Sequence, residues 1–257
     1  MQPIPFKKHL DNYGPFILLM LFLLVIWELA VRLHWIPAFI LPAPSSIGIA
    51  LIEHRQILRQ HLLATLQEIL VGFVLSFICG ALLGTGMFLF RPLEKAIYPF
   101  LIISQTIPLI ALSPIFIMWF GYTLWSKVAV VFLTAFFPVV VSTYDGLRTS
   151  GQAYKDLLLT FGANRWQLLA KTQIPLALPS FFSGLKLSIV YCVIGATIGE
   201  WLGGSKGLGY FSRRMAGNMQ SAEMFAAVFL LSALGVVLFL MIALLEALFL
   251  KKRGSNR

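Results

Sequence analysis

Gly203, Ser205 and Gly207 read G-x-S-x-G, the spacing at which a serine nucleophile sits on a sharp turn from a strand into a helix. That chemistry needs a base, and His34, His54 and His61 are the histidines predicted on the same side of the chain. The residues before Gly203 are apolar over the length of a membrane helix, so no strand supports the turn. A hydrolase reading therefore fails on its scaffold. No H-E-x-x-H occurs, so a zinc protease lacks its ligands. No G-x-x-x-x-G-K-[ST] occurs either, so this chain cannot cradle ATP in a phosphate loop. Cys79 and Cys192 fall inside apolar segments without disulfide or metal spacing and read as small packing residues. The sequence thus offers no catalytic centre, no metal site and no cofactor site.

The elements that carry these residues are set by the solvent. The chain is 59% hydrophobic and 12% charged, against about 25% charged in an ordinary soluble domain. Apolar windows of ~20 residues recur, the length that crosses ~30 Å of hydrocarbon at 1.5 Å per residue. The expected fold is all-α and polytopic, a single transmembrane domain over residues 1–257. Six spans are predicted: Pro15–Leu33, Leu62–Phe90, Ile97–Phe120, Leu124–Asp145, Leu178–Trp201 and Phe225–Leu250. The first apolar run lacks a small-residue cleavage site and reads as a retained helix. The net charge of +10 reads as cations flanking a lipid bilayer, not as a nucleic-acid surface.

Lys and Arg also predict orientation. Lys7, Lys8, Arg91, Lys95, Arg148, Lys155, Arg165, Lys171, Lys251, Lys252, Arg253 and Arg257 fall on one side, 12 in all. Arg32, Arg55, Arg59, Lys127, Lys206, Arg213 and Arg214 make 7 on the other, with Lys186 inside a span. The richer side is cytoplasmic by the positive-inside rule, which places both termini there.

A polar excursion of about residues 150–177 lies on that side, and its core, Asp156–Pro175, has helical signals of its own. Ala153–Phe161 reads as a short helix with Leu157, Leu158 and Phe161 on one side. Gly162 follows where a left-handed residue ends a helix without steric cost. Asn164 is a good N-cap for a second turn, and Gln167 stands three residues on, at capping-box spacing. Lys171 suits the C-terminal dipole of that helix, and Pro175 is expected to end it. Two short helices at an angle result. An amphipathic hairpin lying on lipid has some of these features, but lipid needs no angled pair, so a protein-docking surface fits better.

Within the spans, Pro108 and Pro114 free the carbonyls of Ser104 and Ile110, beside polar Ser104, Gln105 and Thr106. A packing kink and the wall of a wet cavity both satisfy that pattern. Gly184, Ser188, Cys192, Gly195, Gly199 and Gly203 form a small-residue stripe at spacings of three and four. Such a stripe seals a two-fold interface or lines a path. Gly80 and Gly84 are a lone GxxxG and read as ordinary packing. Glu28, Glu68, Lys186 and Glu200 are ionisable residues at membrane depth, with Glu246 near the last helix end. Glu200 precedes the glycine-rich turn Gly203–Gly209, which reads as a gate element or a flexible re-entry loop.

Asp156, Gly162 and Ile174–Pro175, with thirteen residues from glycine to proline, resemble the "EAA" loop of permease subunits of bacterial ATP-binding-cassette (ABC) importers. Asp156 replaces the usual Glu, and Leu157–Leu158 replace the Ala pair. Leu41-Pro42-Ala43-Pro44, Ile107-Pro108, Pro114, Trp119-Phe120-Gly121, Tyr144–Arg148 and Gly199-Glu200-Trp201 resemble the branch serving nitrate, sulfonate, taurine and thiamine-precursor importers. Gly199–Gly203 is nearest the thiamine-precursor (hydroxymethylpyrimidine) branch.

The resemblance implies a permease of the MetI-like fold in a bacterial inner membrane. It also implies cytoplasmic ATPase subunits, an extracytoplasmic substrate-binding protein and a second copy of the chain as partners. Asp156, Phe161, Gly162, Ala163, Arg165, Trp166 and Pro175 are the implied ATPase-docking residues. Ser104, Gln105, Pro108, Pro114, Ser188, Gly195, Gly199 and Glu200 are the implied path residues. The alternative is an ion-coupled secondary transporter or channel, which has no use for the docking loop.

Overall fold

The computed structural model describes residues 6–149 and 158–254, with backbone alone for 6–13, 165 and 251–254. Among the described residues every regular element is helical, as the apolar periodicity predicts. The helices are α1 (Phe6–Arg32), α2 (Pro44–Glu53), α3 (Arg55–Leu89), α4 (Arg91–Ser104), α5 (Leu109–Phe120) and α6 (Leu124–Thr149), followed by α7 (Arg165–Leu168), α8 (Ile174–Gly203), α9 (Leu208–Gly217) and α10 (Ser221–Gly254). Among the described residues five helices are long and apolar enough to cross a membrane, or six if the bent pair α4–α5 counts as one span.

Contacts divide the chain into two units, each described separately. The first draws on Met1–Arg59 and Phe211–Phe229. Within it Glu28 of α1 accepts from Arg32 Nε at 2.6 Å, from Ser45 Oγ at 2.7 Å and from the Ser45 N–H at 3.0 Å. Ser45 stands in the first turn of α2, whose N-cap Ala43 has no capping side chain. Glu28 therefore supplies from another helix the negative charge that this N-terminus attracts.

The second unit draws on Gln60–Tyr210 and Leu230–Arg257 and contains the main core. Ile69 of α3, Val131, Ala135 and Val139 of α6, Leu185, Ile189, Cys192 and Ala196 of α8, and Leu238 and Ile242 of α10 are buried together. Cys192 is thus a core residue, whereas Cys79 is exposed on α3. Gly80 and Gly84 rest against Val139 and Thr143 of α6, the ordinary packing expected of them. Lys186 pairs with Glu246 at 2.7 Å, so both intramembrane charges of that pair are compensated.

Two expectations are corrected. Ile97–Phe120 is no single kinked span: α4 and α5 meet at 102° across Gln105–Pro108. The N–H groups of Gln105, Thr106 and Ile107 turn back to Ile102, Ile103 and Ser104, and Pro108, with no N–H, becomes the N-cap of α5. Nor does Pro175 end a helix. A π-helical turn, Leu169–Gln173, runs straight into α8, with the Ile174 N–H reaching five residues back to Leu169. The wider turn accommodates the proline ring, and Pro175 sits in the first turn of α8.

Candidate functional site

Leu158, Leu159 and Thr160 end a helix at Gly162. The Gly162 N–H reaches Leu159 at 3.0 Å, the Ala163 N–H reaches Leu158 at 3.0 Å, and Gly162 has φ +81°. This is a Schellman termination, and the left-handed φ is what a glycine tolerates. The capping box forms next: Gln167 N–H donates to Asn164 Oδ1 at 2.8 Å, and Asn164 N–H to Gln167 Oε1 at 3.0 Å. Leu169 is buried with Leu147 of α6 and Ala177 of α8, which fixes the segment to the helices. Its other face is open. Phe161 is 78% and Trp166 72% exposed, a large apolar pair on a rigid turn. Asp156 lies outside the described residues, as does the Arg165 side chain.

The α4–α5 break opens onto a cavity of about 710 Å³ bounded by α6 and α8. Gln105, the central residue of the break, lines it, facing Ser142 and Asp145 of α6 and Ser183 and Tyr191 of α8. Ser104 satisfies its hydroxyl on Leu101 O at 2.7 Å, and Thr106 on Ile103 O at 2.7 Å. Pro108 and Pro114 are exposed. Pro108 helps set the bend that leaves Gln105 at the cavity wall.

The small-residue stripe of α8 lies against α6 inside this chain. Ser188 donates to Ala135 O at 2.9 Å; Gly195 faces Thr134 and Val131; Gly199 faces Lys127. A Cβ added at Gly184 would overlap Ser142, and at Gly203 Ile117 of α5. The stripe therefore lets α6 and α8 approach closely, a use that spacing alone left open beside an interface and a path.

Glu200 is fully buried and anchors the glycine-rich turn. Thr65 of α3 donates to it at 2.6 Å and the Gly209 N–H at 2.5 Å, while Thr65 receives the Leu208 N–H at 2.8 Å. The Gly207 N–H donates to His61 Nδ1 at 3.0 Å. Gly207 has φ +114°, and a Cβ there would run into the Glu200 carboxylate. The turn is thus pinned at successive amides, not a loose re-entry loop. Beside it Lys127 of α6 pairs with Glu68 of α3, both buried. Lys127 is no flanking cation, as the charge count had it. Its partner lies fifty-nine residues earlier, and only the packing of α3 on α6 reveals it. Thr65 carries no sequence signal of its own, and His61 is signalled only as one of three histidines on the side of the turn.

A second polar link joins α4 to α6. Tyr144 donates to Glu94, and Arg148 Nη1 reaches the Tyr144 hydroxyl at 3.1 Å and Glu94 at 3.8 Å. These contacts hold one arm of the broken span against the helix that carries Asp145.

A helical membrane unit with a broken span, a cavity beside it and an exposed apolar turn fits a transport subunit. Residues 72–251 match the model of the binding-protein-dependent transport system inner membrane component family, and the chain belongs to that family. It is 46% identical to the formylaminopyrimidine transport permease protein ThiX of Halalkalibacterium halodurans, over 93% of this chain and 96% of that one. It is 36% identical to the riboflavin transport system permease protein RibX of Chloroflexus aurantiacus, over 92% and 89% of the two chains. Among solved structures, the inward-facing MetNI methionine ABC transporter superposes with a TM-score of 0.64, at 18% identity, covering 78% of this chain and 97% of that one. The fold is the MetI-like permease fold. The chain is a permease subunit of an ABC importer and not itself an enzyme. The family works with an ATP-binding-cassette ATPase and a substrate-binding protein.

Proposed function

We propose that this chain is the permease of an importer for a pyrimidine precursor of the kind that ThiX is named for. The observation that carries this is full-length similarity: 46% to ThiX, against 30% to the aliphatic sulfonate permease SsuC of Bacillus subtilis and 27% to the taurine permease TauC of Escherichia coli.

In this reading the segment Asp156–Pro175 docks the ATPase. Phe161 and Trp166 supply the apolar contact, Gly162 and Ala163 the rigid corner, and Asp156 and Arg165 flanking charge. Pro175 and the π-turn before it join the docking segment to α8 without a flexible joint. One copy offers one docking segment, whereas the ATPase closes as a two-fold pair, so the permease works as a homodimer with both termini cytoplasmic. ATPase closure then draws the two segments together. Each pulls on its α8, and α8 carries α6 with it through the glycine stripe, rocking the helices that border the cavity. Gln105, Ser104, Pro108 and Pro114 lie along the solute's way. Ser188, Gly195 and Gly199 serve it indirectly, through the α6–α8 contact, and Glu200 holds the turn at the far end of α8.

Uptake into proteoliposomes holding this chain, its ATPase and its binding protein tests the reading. ATP-dependent entry of labelled formylaminopyrimidine, with little entry of taurine, is expected. Entry of taurine or nitrate without the pyrimidine overturns it.

A further inference from the structure

The cavity beside the broken span has a charge pattern that the assignment of a permease does not supply. Asp145 is the one charged residue among the described residues that line it, and no Lys or Arg is among them. The nearest cation on its own helix is Arg148, whose guanidinium is already committed to Tyr144 and Glu94. No hydrogen bond to the Asp145 carboxylate is found among the described residues. The same cavity is lined by Gln105, Phe137 and Tyr191, and by Ser142 and Ser183, whose hydroxyls donate to Pro138 O at 2.6 Å and Pro179 O at 3.0 Å. At about 710 Å³ the space falls within the range of small-molecule sites, about 300–1,000 Å³.

We infer that Asp145 is a selectivity residue of this cavity, which takes a neutral or cationic amino-substituted heteroaromatic and turns anions away. The inference rests on the importer reading above and narrows it to one side chain. A carboxylate inside a low-dielectric wall raises the local energy of any anion and lowers that of a cation or of an N–H donor. An exocyclic amine donates to it in the charge-assisted geometry that is strongest for such bonds. Phe137 and Tyr191 offer flat apolar faces to a ring, while Gln105 can donate or accept and the two serine oxygens can accept at its edge. A sulfonate or nitrate meets the opposite of what it needs there: a negative charge on the wall and, among the described lining residues, no Lys or Arg to receive it, the nearby Arg148 being bonded to Tyr144.

Two measurements test this. Uptake of formylaminopyrimidine by the reconstituted importer is compared for the natural chain, Asp145→Asn and Asp145→Glu. Asp145→Asn is expected to lose roughly tenfold in uptake, the scale of one charge-assisted hydrogen bond, and Asp145→Glu to keep most of it. Uptake within twofold of the natural chain for an Asp145→Asn protein that still assembles with its ATPase overturns the inference. In that case the pyrimidine importer reading stands, because the natural chain still transports. A natural chain that carries taurine and no pyrimidine overturns the reading itself.

Should Asp145→Asn fail to assemble, the field can be read with Asp145 in place. Ser183→Cys, in a Cys79→Ser background, is expected to react faster with a cationic than with an anionic methanethiosulfonate. Equal rates, or faster reaction of the anion, overturn the inference.

Discussion

Thr65 of α3 gives its hydroxyl hydrogen to the Glu200 carboxylate of α8 at 2.6 Å while accepting the Leu208 N–H at 2.8 Å. One buried side chain thereby ties two long helices and the turn after them into a single polar unit. Because the unit is buried, each unmade bond there leaves a polar group unpaired away from water.

Replacing Thr65 by Val keeps the shape and removes both bonds. The expected cost is about 1–3 kcal/mol, because the Leu208 N–H and one Glu200 oxygen lose their partner. A clearly lower thermal midpoint of the detergent-solubilised protein checks this. A midpoint equal to that of the natural chain shows that the turn is not anchored as described.

Gly207 is the backbone counterpart of that anchor. Its φ of +114° strains any other residue by about 1–3 kcal/mol, and the added Cβ also collides with Glu200. Gly207→Ala should reduce the yield of folded protein sharply. Gly217→Ala, where nothing lies within 4 Å, should leave it unchanged. Equal yields for the two variants contradict the packing of this turn.

Lys127 and Glu68 form a buried pair whose members each depend on the other. Lys127→Met leaves a buried carboxylate and should destabilise by about 3–5 kcal/mol. The double variant Lys127→Met with Glu68→Gln removes both charges of the pair and should recover part of that loss, the buried Glu200 carboxylate still lacking its nearby cation. Additive losses in the thermal midpoints of the single and double variants speak against a direct pair.

Much of this molecule is legible in its sequence because the bilayer forces backbone groups into helices, so apolar length alone locates five spans, although those expected to begin at Leu62 and Leu178 begin at Arg55 and Trp166. Gly162, Asn164 and Gln167 were equally legible, since a helix stop and a capping box are local chemistry. Ile97–Phe120 was not, because its apolar residues continue through Gln105–Pro108 and a proline marks a bend without giving its angle. The continuation through Pro175 was hidden for a similar reason: a proline stops an α-helix, but one π-turn ahead of it removes the clash. The Glu68–Lys127 and Thr65–Glu200 contacts join residues far apart in sequence, so no spacing rule reaches them. Asp145 stood in the sequence inside a family-like motif, and only the cavity gives its carboxylate a direction.

On the proposed function, the turn bearing Phe161 and Trp166 docks the separate ATPase that powers transport. Both side chains are exposed, so Phe161→Ala with Trp166→Ala should leave folding intact. Copurification of the cognate ATPase with the tagged permease measures the docking directly. The account predicts that the natural chain retains the ATPase and that the double variant, and Gly162→Pro, lose it while remaining in the membrane. Undiminished copurification by the double variant, or solute uptake by the purified chain alone, would contradict it.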